Sequence, residues 1–328
     1  MAPKKMTFGQ ATLEAMEFAM REDQNVIVIG EDISWGGNFG QFRGLTDLFG
    51  PTRVVDTPIS EALIVAAAVG ASVTGLKVVA SMSFVEFTLG AMDEIVNQAS
   101  KFRYMFGGQT SVPIVLRASD GVRGASGPQH SSSLENLFCH IPGLKVVAPS
   151  NANDAKGLLR SAISDPNPVI YLEHKKITGQ RSMVEEGDLK IPLGVARIAR
   201  SGTHATVITY SDMVNKALDA ATQLEAMGID LEVIDLRSLV PLDYATIETS
   251  ALRTKNVLVV HESWKFCGFG GEVISHLAEK FGHSYGLTFG RVGAKTAPIP
   301  FSPTLEAEVV PGVEQIRNAI VKMLNKAI

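Results

Sequence analysis

RVVDTPISEALIVAAAVG, residues 53–70, joins a short apolar segment to a helix that starts with one acid. Ser60 stands where an N-cap is expected, and Glu61 falls in the first turn, where a carboxylate complements the helix dipole. This structural role explains most glutamates at such positions. The residues after Glu61 leave no hydrophilic face, so we expect the helix to be buried nearly all round. Its first turn then opens into a cleft or an interface, where a carboxylate is able to share a proton with a ligand.

Apolar strands and helical patterns alternate on both sides of this stretch, as in a parallel, doubly wound sheet. The predicted strands of the first half are NVIVIG (25–30), KVVASMSF (77–84), VPIVLR (112–117), LKVVAP (144–149) and NPVIYLE (167–173). Helical patterns lie near 8–21, 60–74, 87–106 and 151–164. The third of these has one apolar face made by Met92, Ile95, Val96, Ala99, Phe102 and Phe106.

Residues 174–203 lose this periodicity and gain charge and glycine, which predicts a linker. A second alternation follows, with strands at 204–210, 230–236 and 256–262 and helices at 212–227, 243–252, 270–281 and 313–327. The last helix is expected to pack onto the second domain through Ile316, Ile320, Val321 and Leu324. The predicted fold class is therefore α/β, with two doubly wound domains at residues 1–190 and 191–328.

The composition excludes several classes of protein. The 30 basic and 34 acidic residues are well mixed and give a net charge of −4, which argues against a nucleic-acid partner. The apolar runs are too short to span a bilayer, and the start, MAPKKMTFGQ, lacks the apolar stretch of a secretion signal. Cys139 and Cys267 suggest neither a disulfide framework nor a zinc site. We expect a soluble intracellular protein without a membrane partner, and its apolar excess favours an obligate oligomer.

A second candidate site is the glycine-rich segment DGVRGASGPQHSSS (120–133), which follows a predicted strand. Loops at the carboxyl ends of strands bind ligands in open α/β sheets, so His130 is a candidate functional residue. The alternative is a mobile surface loop with a solvated histidine. Phe84 and Phe87 also follow a strand, where an aromatic face is able to stack on a flat ring, although core packing explains them as well.

Other motifs carry less information. Segment 36–44, GGNFGQFRG, lacks the G-x-G-x-x-G spacing, and no G-x-x-x-x-G-K-[ST] occurs, so dinucleotide and P-loop chemistry is disfavoured. His261 and Glu262 at a strand end, and His140 at the end of a helix, are interpreted as structural residues.

Several stretches, taken in order along the chain, resemble one family. They are VVDTPISE, NQASKFRYMFGG, HIPGLKVVAPSNANDAKGLLRSAI, PLGVARIARSGTHATVITY, IDLRSLVPLD and PIPFSPTLE. They cover nearly the whole chain. They are similar to the beta subunit of the thiamine-diphosphate-dependent decarboxylase component of 2-oxo acid dehydrogenase complexes, which include pyruvate and acetoin dehydrogenases. The resemblance implies a pyrimidine-binding first domain and a transketolase-type C-terminal domain.

The resemblance also implies roles for individual residues. The glutamate of DTPISE, Glu61 here, hydrogen-bonds the pyrimidine nitrogen that lies across the ring from the amino group. A proton given to that nitrogen favours the imino tautomer, which removes the acidic thiazolium proton. Phe87 is the residue implied to face the pyrimidine, with Phe84 as the second choice. His130 aligns with the histidine that serves decarboxylation and acyl transfer to lipoamide.

The resemblance further implies metals and partners. A structural potassium ion is implied at Ile114, Ala162, Ile163, Asp165 and Asn167. The alternative for SAISDPNP is a simple Asp-Pro-Asn turn. Family members hold the diphosphate and magnesium through a Gly-Asp-Gly motif, which does not occur in the 328 residues. An alpha subunit is therefore implied to hold both groups in an α2β2 heterotetramer, which leaves the chain alone without activity.

The predicted function is the beta subunit of a decarboxylase that forms the thiamine diphosphate ylide and passes an acyl group to lipoyl-lysine. Pyruvate and acetoin are the leading substrates, and branched-chain 2-oxo acids come third. A lipoyl acyltransferase core is the second implied partner, received near Ile328 beside Glu306 and Glu308. The predicted location is the cytoplasm, or the mitochondrial matrix or a plastid if a transit peptide was removed.

Two alternatives stay open on the sequence. A self-sufficient transketolase-like or deoxyxylulose-phosphate synthase enzyme is disfavoured by the missing Gly-Asp-Gly motif and the short chain. A non-catalytic scaffold subunit of the same fold is disfavoured because Glu61 and His130 are both present.

Overall fold

The computed structural model describes residues 3–325, apart from the side chain of residue 283. Its strands are β1 (Lys4–Thr7), β2 (Val26–Gly30), β3 (Val54–Asp56), β4 (Lys77–Phe84), β5 (Ile114–Asp120), β6 (Lys145–Val147), β7 (Val169–His174), β8 (Arg181–Val184), β9 (Arg197–Arg200), β10 (Ala205–Thr209), β11 (Leu231–Asp235), β12 (Ser238–Val240), β13 (Asn256–Trp264) and β14 (Thr288–Ala294). Its α-helices are α1 (Phe8–Glu22), α2 (Leu45–Phe49), α3 (Glu61–Val73), α4 (Phe102–Met105), α5 (Glu135–Cys139), α6 (Ala152–Ser164), α7 (Asp212–Glu225), α8 (Tyr244–Thr254), α9 (Gly270–Phe281), α10 (Pro303–Val309) and α11 (Val313–Met323).

The chain forms two compact units whose segments interleave along the sequence. The first unit contains the residues up to Asp120, then Leu137–Leu193 and Leu239–Pro241. The second contains Gly121–Asn136, Gly194–Ser238 and the residues from Leu242 onward. Because these units interleave, they do not test the predicted division into 1–190 and 191–328, which stays a prediction.

A seven-stranded sheet within residues 3–325 forms the centre of the first unit, in the order β12-β6-β7-β5-β4-β2-β3. The central pairs are parallel, with Ile29 opposite Ala80 and Ala80 opposite Leu116. Every residue of β5 and β7 is buried, as expected for strands covered on both faces. Helices α1 and α6 contribute to the main apolar core on one side of the sheet. The predicted doubly wound α/β fold is therefore confirmed here.

A five-stranded sheet among the described residues organises the second unit, in the order β14-β13-β10-β11-β9. All its neighbouring pairs are parallel except β11 with β9. The predicted apolar face of the last helix is confirmed, because Ile316, Ile320 and Val321 are buried in the core of this unit and Leu324 is packed against it. The three final residues of the chain lie outside the described residues, and so does the predicted docking of a partner at Ile328.

The expectations for the segments 87–106 and 174–203 are wrong. The predicted helix 87–106 is broken into a 3₁₀ segment (Val85–Ala91), a π segment (Glu94–Ala99) and α4. The Thr88 and Ser100 hydroxyls donate to carbonyl oxygens three and four residues back, which competes with regular helical bonding. The predicted linker at 174–203 contains two strands, because β8 pairs with β1 and β9 pairs with β11.

The sequence predicts that helix α3 is buried nearly all round, and this expectation is wrong for the chain by itself. Leu63 is 49% exposed and Val73 is 38% exposed, and Ala66 and Gly70 between them are also exposed. The opposite face, with Ile64, Val65, Ala68 and Val69, is buried. The helix therefore has an apolar buried face and an apolar open face. Among residues 3–325, no helix combines the length and the apolar content that crossing a bilayer requires.

Candidate active site

A small hollow of the first unit collects the residues at the carboxyl ends of β2 and β4 and at the start of α3. Its lining consists of Glu31, Ile59, Ser60, Glu61, Ile64, Ser81, Met82, Ser83 and Phe87. Parallel strands end here side by side, since Gly30 pairs with Ser81. Open α/β sheets bind ligands at this edge. The structure thus brings Glu61 and Phe87, which are 26 positions apart in the sequence, to one hollow.

Three aromatic rings contact one another in series at the carboxyl end of β4. The Phe84 ring contacts the Phe87 ring edge to face at 5.3 Å between centroids, and it also contacts the Phe39 ring at 5.5 Å. Phe84 therefore lies behind Phe87 and is not part of the lining of the hollow. Phe87 is the aromatic ring that a molecule in the hollow would meet.

The end of β4 departs from regular strand geometry just where it lines the hollow. Its register with β5 shifts between Ser81 and Phe84, and Ser83 has a positive φ of 37°. The Asn38 side chain donates a hydrogen bond of 2.7 Å to the Ser83 hydroxyl. A non-glycine residue in this region of φ costs free energy, so the surrounding contacts must hold it there.

A second acid lies at the hollow and was missed in the sequence. Glu31 follows directly after β2 and lines the hollow together with Glu61. Burial raises the pKa of Glu31, and repulsion from Asp32 and Glu61 raises it further. The signal that could have found it is the position of an acid immediately after the apolar run NVIVIG. Ser60 occupies the N-cap position of α3, but its side chain makes no capping hydrogen bond.

His130 belongs to the second unit, in the loop Gly121–Asn136. The loop is closed at its base by a hydrogen bond of 2.8 Å from the Gly121 N–H to the Ser132 carbonyl oxygen. Near its tip, the His130 N–H donates to the Gly127 carbonyl oxygen at 3.3 Å. The histidine is half-buried. The segment is therefore an ordered loop with internal hydrogen bonds.

Three of the residues implied to bind potassium form one hydrogen-bonded turn after α6. The Asp165 N–H donates to the Ala162 carbonyl oxygen at 3.1 Å. Asp165 Oδ1 accepts from the backbone and side-chain nitrogens of Asn167 at 2.9 and 3.0 Å. The other oxygen of Asp165 accepts from Lys145 Nζ, and Asn167 Oδ1 accepts from Arg103 Nη1 at 2.6 Å.

The donor set of this turn fits an alkali ion in its chemistry but already has cationic partners. Carbonyl, carboxylate and amide oxygens are the hard ligands that such ions prefer. Ile114 begins β5, and Ile163 lies in the last turn of α6, where backbone carbonyl oxygens have no partner within the helix. Because Lys145 and Arg103 occupy the side-chain oxygens, an ion here competes with these two side chains.

The hollow therefore offers a defined chemistry. One carboxyl is biased toward its protonated form, and a second carboxyl and an aromatic ring line the same hollow. Such a pair is able to hold and exchange a proton with a ring nitrogen, while the aromatic face receives the flat ring.

Comparison with known proteins places the chain in a family. The model of the transketolase pyrimidine-binding domain matches residues 4–180, and that of the transketolase C-terminal domain matches residues 194–316. A beta subunit of acetoin:2,6-dichlorophenolindophenol oxidoreductase from Bacillus subtilis is 41% identical over 98% of both chains. The mitochondrial pyruvate dehydrogenase E1 beta subunit of Caenorhabditis elegans is 38% identical over 99% of this chain and 94% of its own. The chain belongs to this beta-subunit family.

A further beta subunit of the acetoin type, from Cupriavidus necator, is 40% identical over 98% of both chains. A solved split-gene transketolase, described as an inactive beta4 tetramer, shares the fold with a TM-score of 0.77 over 98% of both chains, at 24% identity. The resemblance and the two-domain α/β fold expected from the sequence are confirmed. In this member of the beta-subunit family, Glu61, Phe87 and Glu31 lie within the part of the chain that matches the pyrimidine-binding model.

Proposed function

We propose that the chain supplies half of a composite active site in an α2β2 decarboxylase that uses thiamine diphosphate and passes an acyl group to a lipoyl-lysine. The observation that carries the proposal is the meeting of Glu61 and Phe87 in one hollow at the carboxyl edge of the sheet. Thiamine diphosphate, when bound, would supply a carbon nucleophile for chemistry at the substrate carbonyl. The lining of the hollow suits a polar aminopyrimidine ring in its chemistry, because it combines an aromatic ring with two carboxyl groups.

Within this site Glu61 holds a proton against the pyrimidine nitrogen, and Phe87 faces the ring. The helix that begins with Glu61 fixes the carboxyl at its first turn. Glu31 lines the same hollow, where burial and repulsion from Asp32 and Glu61 raise its pKa. His130, in the second unit, serves decarboxylation and the transfer of the acyl group to lipoamide.

An alpha subunit supplies what this chain lacks. Since no Gly-Asp-Gly motif occurs, the diphosphate and magnesium are held by the partner, and the chain alone is inactive. Potassium binds at Ile114, Ala162, Ile163, Asp165 and Asn167, where it competes with Lys145 and Arg103. The first domain, 1–190, binds the pyrimidine, and the second, 191–328, contacts other subunits and the lipoyl acyltransferase core. We place the complex in the cytoplasm.

Acetoin and pyruvate are the proposed substrates, with acetoin first, because the two relatives with the highest identities quoted above, 41% and 40%, are named for it. Branched-chain 2-oxo acids come after both. A scaffold subunit without catalysis is the remaining candidate, and the paired acids at the hollow count against it.

The test is reconstitution with the alpha subunit. We expect saturable, magnesium-dependent binding of thiamine diphosphate by the reconstituted tetramer and none by the isolated chain at micromolar cofactor, as measured by calorimetry. Dye reduction with acetoin, pyruvate and a branched-chain 2-oxo acid then identifies the substrate. Glu61→Gln should lower turnover by about 100-fold or more while the tetramer still assembles, since general acid–base catalysis contributes about 10²–10⁴-fold. Turnover near that of the exposed control Glu279→Gln would contradict the role of Glu61.

A further inference from the structure

The segment Gly121–Asn136, here called the His130 loop, is fastened to the second unit at its base. The bond between the Gly121 N–H and the Ser132 carbonyl brings the two limbs of the loop together. Val122, on the first limb, is 5% exposed and packs with Ile299 and Val310. Beyond Val122 the first limb is open to solvent, because Arg123 and Gly124 are exposed. How the base of the loop is held therefore contributes to the position of His130.

One carboxylate joins both limbs of this base. Glu262, in β13, is only 7% exposed. Its Oε1 accepts a hydrogen bond of 2.7 Å from the Val122 N–H and one of 3.3 Å from the Ser133 hydroxyl. Its Oε2 lies 3.8 Å from Lys216 Nζ. Hydrogen bonds to a buried charged group are stronger than those between neutral groups, so this carboxylate is a firm anchor.

We propose that Glu262 is a positioning residue for His130. Its carboxylate fixes both limbs of the loop and so holds the imidazole in place for acyl transfer. The inference rests on the proposed function, since it presupposes the role of His130. Misplacing a reacting group by about 1 Å is able to cost on the order of 100-fold in rate, so an anchor of this kind has a kinetic effect without touching the substrate.

The experiment compares four variants in the reconstituted tetramer: Glu262→Ala, Glu262→Gln, Ser133→Ala and the control Glu272→Ala, which changes an exposed acid of the same unit. Glu262→Ala should lower kcat with lipoamide by about 10- to 100-fold, with a smaller loss in dye reduction and an unchanged KM for thiamine diphosphate. Glu262→Gln should restore most of the activity, because an amide oxygen accepts the same two hydrogen bonds.

A second measurement reports on the loop itself and does not depend on activity. Arg123 is an exposed trypsin site on the first limb, next to the anchored Val122, so cleavage after it measures how often this limb of the loop opens. In the full-length chain we expect faster cleavage in Glu262→Ala and in Ser133→Ala than in Glu272→Ala, with Glu262→Gln close to the control.

Two outcomes overturn the inference. The first is cleavage at Arg123 that is equal in Ser133→Ala, Glu262→Ala and the control. The second is a loosened loop with unchanged transfer to lipoamide. If Glu262→Ala does not fold, Ser133→Ala decides both points. His130→Ala in the same assay distinguishes the proposed role of His130 from that of the Glu262 anchor. Full transfer in that variant refutes the proposed role of His130, whereas loss of transfer there with no effect of Glu262→Ala or Ser133→Ala refutes the anchor alone.

Discussion

Glu31 and Glu61 bring two carboxyl groups to one hollow, and this arrangement costs stability. Burial raises the pKa of Glu31, with further contributions from Asp32 and Glu61. An acid with a higher pKa in the folded state binds its proton more tightly there. Its contribution to the free energy of unfolding is therefore unaffected well below the unfolded pKa and becomes unfavourable as the pH rises through the unfolded and then the folded pKa.

Because ionised Glu31 lowers the free energy of unfolding, we expect Glu31→Gln to raise Tm above that of the wild-type chain at pH 7. Near pH 4 the two Tm values should be close to each other. The same variant should lower the activity of the reconstituted tetramer, since acids with perturbed pKa values at functional sites commonly lower stability while contributing to activity. Thermal unfolding followed by circular dichroism between pH 4 and 8 measures the first effect, with Glu279→Gln as the exposed control. An unchanged or lower Tm at pH 7 would show that Glu31 is accommodated without cost.

The sequence identifies a candidate site residue when its signal lies in a few neighbouring positions. It does not identify residues whose role depends on partners far away in the chain. Glu61 stands out because an acid precedes an apolar helix, and that pattern is contained in a few positions. The strand-end position of Glu262 indicates a structural residue, but its contact with Val122, 140 positions earlier in the chain, is not predicted because no sequence pattern links the two. The contact of Arg103 with Asn167, 64 positions apart, is hidden for the same reason.

At the scale of elements, the turn after α6 is where an ion and side chains compete. Arg103 Nη1 occupies the Asn167 oxygen, so removing the guanidinium should free a ligand for potassium. We expect Arg103→Met to increase the gain in stability on adding KCl, compared with an equal ionic strength of tetramethylammonium chloride. The gain is about 1.4 kcal/mol when free potassium is ten times its Kd. Chemical denaturation measures it, with Arg21→Met, an exposed arginine, as the matched control. Equal potassium effects in both variants would mean that Arg103 does not block the ion.

The elements that the sequence predicted well are the buried parallel strands and the amphipathic helices. Strands such as β5 are buried on both faces, so their apolar runs are continuous and easy to recognise. Strands β8 and β9 fall in the segment that the sequence predicts to be a linker. They give no strand signal because they are short and partly exposed and depend on pairing with β1 and β11. The segment 85–106 buries only Ile95 and Ala99 of its predicted apolar face and leaves Phe106 53% exposed. It does not form a regular helix, since side-chain hydroxyls bond to its carbonyl groups.

At the scale of the whole molecule, the interleaved units make a prediction about fragments cut at the expected domain boundary. Fragment 191–328 lacks Val122, which packs with Ile299 and Val310, and so its apolar cluster is incomplete. Loss of a buried apolar side chain costs about 1–3 kcal/mol. We expect this fragment to unfold at lower urea than the second unit of the full chain. Hydrogen exchange along the denaturation series measures this, and equal midpoints would establish 191–328 as an independent domain.

The same interleaving sets the order in which a growing polypeptide completes its folding. As it leaves the ribosome, the His130 loop emerges well before β13, which carries its anchor, and β12 of the first sheet emerges only after β10 and β11 of the second. Domains commonly fold one after another during synthesis. Here neither unit has all its residues until much of the other has been made. The nascent chain therefore exposes unpaired strand edges until late in translation, and we expect chaperones to bind it during this period.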